Sequence, residues 1–177
     1  MKFYEEEVLS VAAGATINLV QQHQVYVCPD TPAYNYRKSI FMAFRAQQGI
    51  MKDLYRVLDV VIINPLNPGE LRAFQNSSYD QSMKQQILNY IAAAPSRGNT
   101  AAFTNTPQRF YVLDASTIPL PNAPRPKRNN PGARYYCLHD ILTKKVVTPC
   151  STSPSSTPTK PTRSASGGGP TRAKKGS

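Results

Sequence analysis

The chain has 177 residues, of which 40% are hydrophobic, and a formal net charge of +11 at neutral pH. Its length predicts one soluble domain that can be stable without disulfides or metal. Its apolar stretches over residues 8–20 and 57–63 are broken or shorter than the ~20 residues of a membrane span. Residues 1–7 lack the apolar run of a secretory signal. We therefore expect no membrane span, and synthesis in a cytosol-like compartment.

The excess positive charge is confined to the last third of the chain. Residues 1–120 carry 10 Lys and Arg against 9 Asp and Glu, whereas residues 121–177 carry 11 against the single acid Asp140. The same stretch holds 9 of the 16 prolines. These patterns predict a folded body over residues 1–120 and a Pro-rich basic arm over residues 121–150. Residues 151–177 lack core-forming side chains, which predicts a disordered basic tail.

The first two-fifths of the chain predict short strands followed by a long helix. Residues 16–20 have the β-branched composition of a strand, and residues 5–13 are equally compatible with the start of a helix. Residues 25–28 predict a strand that a turn closes. From residue 38 to residue 59, apolar side chains recur near a period of 3.6, which predicts a helix with a bend at Gly49.

Two helix starts and a strand follow in the middle of the chain. Asn67 is a good cap for a helix reaching about residue 75, with Pro68 in its first turn. Ser78 and Gln81 form a capping box for a helix to about residue 94. Residues 110–113 predict a strand, and residues 134–147 a short hairpin. The predicted fold class is α+β: a small helix-centred domain with a few short strands, then an extended arm.

The candidate metal-binding and nucleophilic residues do not form a recognisable site. They are Cys28, Cys137, Cys150, His23 and His139. Zinc sites usually contain a close C-x2-C or H-x3-H pair, and none is present, so we expect packed thiols or one opportunistic disulfide, with neither metal nor cofactor. No oxyanion-hole signal accompanies Cys137 and His139, and no phosphate-binding glycine motif occurs. We therefore predict a non-enzymatic protein.

The predicted contact residues are tyrosines and basic side chains. Tyrosine is enriched at protein interfaces, and arginine and lysine bind phosphates or acidic surfaces. The candidates for partner binding are Tyr34, Tyr36, Arg125, Lys127, Arg128, Tyr135 and Tyr136. The candidates in the tail for nucleic-acid or acidic-surface contact are Lys160, Arg163, Arg172, Lys174 and Lys175.

The tail contains the run SPSSTPTKPT over residues 153–162. It resembles the Pro-Thr-Lys runs found in minor capsid proteins of large icosahedral double-stranded DNA viruses, chlorella viruses in particular. The resemblance implies a cement protein of the virion, made in the host cytoplasm, that joins larger capsid subunits through its body and arm. The alternative prediction is a basic nucleic-acid-binding accessory protein, either ribosome-associated or DNA-packaging.

Overall fold

The computed structural model describes residues 6–94 and 103–150. The strands are β1 (Glu7–Ala12), β2 (Val25–Pro29), β3 (Phe41–Arg45), β4 (Asp53–Ile63), β5 (Gln108–Leu113), β6 (Ile118–Pro119), β7 (Arg125–Pro126), β8 (Arg134–Cys137) and β9 (Val146–Val147). The helices are α1 (Ile17–His23), α2 (Pro68–Gln75), α3 (Gln81–Ala93) and α4 (Leu138–Thr143), with short 3-10 helices at Pro32–Tyr34 and Gln47–Gly49. In this part of the chain, no helix has the length and hydropathy that crossing a bilayer requires.

A mixed seven-stranded sheet forms the centre of the molecule. Its order is β2-β5-β4-β3-β1-β8, and β6 pairs with β4 outside that path. β1 and β3 are parallel, whereas the other pairs in this sheet are antiparallel. β7 and β9 form a separate parallel pair. The predicted helix-centred domain is therefore wrong, because the body is built around a sheet.

The sheet is strongly curved. Tyr26 on β2 and Phe44 on β3 have ring centroids 5.4 Å apart, although β5 and β4 lie between their strands. Neighbouring strands are about 4.8 Å apart, so three steps across a flat sheet would separate them by about 14 Å. The two halves of the sheet therefore curl toward each other, and the concave face encloses an apolar core that includes Leu9, Met42 and Leu113.

The helix predicted over residues 38–59 is wrong: this segment forms β3, a tight turn and most of β4. Both faces are covered where β3 pairs with the start of β4, because Tyr55 packs in the concave core while Leu54 packs in a second core on the opposite face. Farther along, β4 also carries exposed side chains. A strand buried on both faces loses the alternation of apolar and polar residues that identifies strands in a sequence. The turn contains Gln48 and Gly49, both at positive φ, a conformation that a continuous helix does not allow.

The other elements agree with the sequence in part. The strand at residues 25–28, the strand at 110–113 and both capped helices are confirmed. Asn67 accepts hydrogen bonds from the N–H groups of Gly69 and Glu70, as predicted. The second helix instead has Asp80 as its cap. Residues 7–12 form a strand and residues 17–23 a helix, the reverse of the expected order.

The Pro-rich arm lies on the body instead of extending from it. The Met51 N–H donates to the carbonyl of Pro124, and β6 and β8 both join the main sheet. The hairpin predicted over residues 134–147 is wrong, because this segment forms β8, α4 and β9. Leu120, Tyr136, Ile141 and Val147 complete an apolar core with β1, β3 and β4. Their burial is the physical reason why the segment folds back. The tail, residues 151–177, lies outside the described residues.

Candidate ligand-binding cleft and basic ribbon

A cleft of about 490 Å³ opens where the curled sheet fails to close. One wall is β2 with the segment 33–36, and another is the segment 131–133 that leads into β8. The end of β1 and Thr16, the residue before α1, also line the cleft. Its volume falls within the 300–1,000 Å³ typical of small-molecule sites. We call this site the tyrosine cleft, because Tyr26, Tyr34 and Tyr36 line it.

The tyrosines form a connected aromatic cluster. The ring of Tyr36 lies 6.1 Å from that of Tyr34 and 6.2 Å from that of Tyr111, measured between centroids. The ring of Tyr26 lies 6.0 Å from that of Tyr111 and so belongs to the same cluster. Burial raises the pKa of the Tyr26 and Tyr36 phenols well above the ordinary value, and it raises the pKa of Tyr111 to about 12. At neutral pH the cluster is therefore uncharged.

Two ion pairs lie near the aromatic cluster. Arg109 pairs with Asp30 at the end of β2. The guanidinium of Arg37 is 3.0 Å from a carboxylate oxygen of Glu7 and lies 4.1 Å from the ring centroid of Tyr135. These contacts place cations and aromatic rings side by side, although the sequence separates Arg37 from Tyr135 by nearly 100 residues.

Cys28 lines the cleft as a free thiol with 3% of its surface exposed. Burial raises the pKa of this thiol to about 12, although nearby Arg109 lowers it. A cysteine nucleophile acts as the thiolate. At neutral pH Cys28 carries its proton, so its environment is unlike that of a catalytic cysteine.

Arg45 is a buried cation that holds the wall of the cleft. Its side chain is 2% exposed and donates to the carbonyl oxygens of Asn130 and Gly132, the first at 2.6 Å. Burial lowers the pKa of Arg45, but arginine remains charged in proteins. Its Nε has no hydrogen-bond partner, and no acidic side chain of the described residues pairs with it. The two carbonyl oxygens stabilise the charge, but no carboxylate of this part of the chain neutralises it.

The pairing of β7 with β9 gathers basic side chains from two separate stretches. The N–H of Arg125 donates to the carbonyl of Lys145, and that of Lys127 donates to the carbonyl of Val147. We call the resulting surface the basic ribbon. Its members are Arg125, Lys127, Arg128, Lys144 and Lys145, all exposed. Lys144 pairs with Asp140, whereas the other four make no ion pair with residues 6–94 or 103–150.

A disulfide joins Cys137 to Cys150, with 5.9 Å between the Cα atoms, a separation typical of such bonds. It closes the chain around α4 and β9. His139 is exposed, and within the described ranges no three His, Cys, Asp or Glu residues form a group that could hold a metal ion.

The structure brings some of the predicted contact residues together and separates others. Tyr34 and Tyr36 line the cleft, and Tyr135 lies beneath Arg37. Tyr136 is buried in the core against β1, so it does not offer a contact surface. The three predicted arm bases, Arg125, Lys127 and Arg128, lie on the basic ribbon. The predicted tail bases Lys160, Arg163, Arg172, Lys174 and Lys175 lie outside the described residues.

Several residues of the site were not predicted from the sequence. Tyr26 and Tyr111 lie opposite each other in the β2–β5 register. The alternation of Tyr26 and Cys28 on one strand face was a usable signal. The positions of Arg45 and Arg109 depend on tertiary contacts, and no local pattern indicates them.

Comparisons with protein-family models, curated proteins and solved structures gave no match. The function of the chain must therefore be argued from its own residues.

Proposed function

We propose that the chain binds single-stranded nucleic acid without changing it chemically, and that the basic ribbon provides the contacts with phosphate. The observation that carries the proposal is the β7–β9 pairing, which collects cations that the sequence keeps 16 to 20 residues apart. Cations that make no ion pair are free to replace the counterions of a phosphate chain.

The distribution of charge supports a polyanionic partner. Residues 121–150 carry six Lys and Arg against one acid, whereas residues 1–120 are nearly neutral. The ribbon is also close to the tyrosine cleft along the chain. Arg128 of the ribbon and Ala133 of the cleft are five residues apart, so their Cα atoms are separated by no more than about 18 Å. A short oligonucleotide can therefore contact both.

A single strand accounts for more of these features than a duplex does. Proteins that bind single strands combine cations that follow the backbone with aromatic side chains on which bases stack. The tail bases have no aromatic neighbours in the sequence. For the ribbon, the tyrosine cleft can supply them, because residues 131–133, which line the cleft, follow Arg128 within five residues of the chain.

The test is the salt dependence of oligonucleotide binding, measured by fluorescence anisotropy with a labelled 15-nucleotide oligothymidine. The affinity should fall with salt at a log–log slope of about −0.7 per phosphate contact. The triple variant Arg125→Gln, Lys127→Gln, Arg128→Gln should weaken binding and make the slope shallower by up to about 2.

A matched control removes three exposed bases outside the ribbon, through Lys38→Gln, Arg56→Gln and Arg72→Gln. This variant has the same net charge as the ribbon variant. If both variants lose the same affinity, binding depends on overall charge and the ribbon is not the interface. If duplex DNA binds as tightly as the single strand, the preference proposed for single strands is wrong.

A second candidate function is the assembly role that the tail resemblance implies. Half-exposed apolar side chains on the sheet favour it, because such residues often mark protein contacts. They are Leu58, Ile62 and Ile118. Native mass measurement of complexes from the producing cell should then find the chain at a fixed ratio to a larger capsid protein. Recovery with nucleic acid alone would contradict this function.

A further inference from the structure

The tyrosine cleft offers flat aromatic surface beside a cavity. Tyr34 is 38% exposed and Tyr36 half-buried, and their rings are nearly perpendicular, with an interplanar angle of 70°. Tyr36 contacts the ring of Tyr111, which in turn contacts the buried ring of Tyr26. The outer ring can therefore move to meet a ligand while the inner rings remain fixed.

Two cations lie beside the wall of the cleft that residues 131–133 form. A guanidinium nitrogen of Arg134 donates to the carbonyl of Ala133 at 3.0 Å and lies beside Gly132, and both of these residues line the cavity. Behind the same wall, the buried guanidinium of Arg45 holds the carbonyl of Gly132 and has no acidic partner in the described residues. A buried charge without a counter-ion favours an anion nearby. The wall is therefore electropositive.

The chemistry of the cleft fits a nucleotide better than an apolar peptide. A base is flat and uncharged, and its phosphate carries the negative charge that Arg134 and Arg45 favour. The neighbouring acids Asp30 and Glu7 are already paired with Arg109 and Arg37, so they do not cancel this preference. A Pro-rich basic segment such as residues 153–162 also fits aromatic grooves, but its Lys160 would face two cations.

We propose that the tyrosine cleft binds one unstacked base of a single-stranded nucleic acid, with the base stacked on Tyr34 and its phosphate bound by Arg134. The inference rests on the proposed function, to which it adds a base-binding subsite. Stacking on an aromatic ring does not select strongly among bases, so we expect weak sequence preference.

The test compares Tyr34→Ala with Tyr34→Phe in the full-length protein, using the same labelled oligothymidine. Loss of a stacking ring should weaken binding about fivefold or more. The phenylalanine variant keeps the ring and should restore binding. The salt slope should remain that of the parent, because no phosphate contact is removed. Tyr79→Ala is the matched control, since Tyr79 is similarly exposed (41%) but packs against Phe74 on α2.

An oligonucleotide of the same length without bases separates the cleft from the ribbon. The parent protein should bind this oligonucleotide as weakly as the Tyr34→Ala variant binds oligothymidine. The salt slope should be unchanged. Equal binding of the two oligonucleotides, or equal effects of Tyr34→Ala and Tyr79→Ala, would overturn the base-binding inference and leave the ribbon proposal standing. Absence of salt-dependent binding to either oligonucleotide would overturn the proposed function as well.

A peptide of residues 153–162 tests the alternative occupant. If this labelled peptide binds the parent and loses affinity in Tyr34→Ala, while oligothymidine binding is unaffected by the same substitution, the cleft accepts a Pro-rich chain and the inference is wrong. If the peptide neither binds nor competes with oligothymidine, the nucleotide is supported as the occupant.

Discussion

Removal of the Cys137–Cys150 disulfide should lower the stability of the protein substantially. The two cysteines are 13 residues apart in the sequence. In the chain-entropy description, a cross-link that closes a loop of this length stabilises the fold by about 3 kcal/mol, because it restricts the unfolded chain. The double variant Cys137→Ser, Cys150→Ser should therefore unfold at a urea concentration lower by about 1 M or more.

The assay is urea unfolding followed by circular dichroism. The parent is measured with and without a reducing agent, and the double variant is measured in the same two conditions. Reduction should shift the parent to the midpoint of the double variant and leave that variant unchanged. This pattern separates the cross-link from any effect of the serine side chains, which are present only in the variant.

Two results would refute the reasoning. The first is the same midpoint for the parent and the double variant under oxidising conditions. The second is a thiol count of three in the freshly purified, unfolded parent, because the disulfide predicts that only Cys28 reacts. A surviving β1–β8 pairing is expected in either redox state, since its backbone hydrogen bonds and the burial of Tyr136 do not depend on the cross-link.

Two further predictions concern a turn and a thiol. Gly49→Ala should destabilise the protein by about 1–3 kcal/mol, because Gly49 has φ +76° and an added Cβ would lie 2.9 Å from the side chain of Asn129. Thermal melting compares it with Gly14→Ala, whose Cβ meets nothing within 4 Å, and equal melting temperatures would contradict the prediction. Burial raises the pKa of the Cys28 thiol to about 12. In the unfolded chain this thiol loses its proton near about pH 8.5, whereas in the folded protein it keeps the proton. Its contribution to stability is therefore complete below about pH 8.5 and declines above it, by at most about 1.4 kcal/mol per pH unit. Cys28→Ala should flatten the decline between about pH 9 and 10 in urea titrations, and identical slopes for variant and parent would show that this thiol is not the cause.

The sequence alone determined the features that depend on neighbouring residues. Asn67 caps α2 because its side chain reaches N–H groups two and three residues ahead, and the strand at residues 25–28 is recognisable from its own β-branched and aromatic side chains. The concentration of positive charge after residue 120 is likewise a property of the sequence. The sequence also indicated five residues of the candidate site as contact residues, namely Tyr34, Tyr36 and the three arm bases.

Only the tertiary structure decided how the two halves of the chain combine. β3 and the start of β4 are covered on both faces, so the spacing of their apolar residues resembles a helical period when the sequence is read alone. The arm folds back because Leu120 and Val147 complete a core whose other residues come from β1, β3 and β4. Arg45 holds a wall of the cleft through carbonyl oxygens 85 and 87 residues away. Contacts over such distances depend on the closure of the whole sheet, and no local pattern of residue types records it.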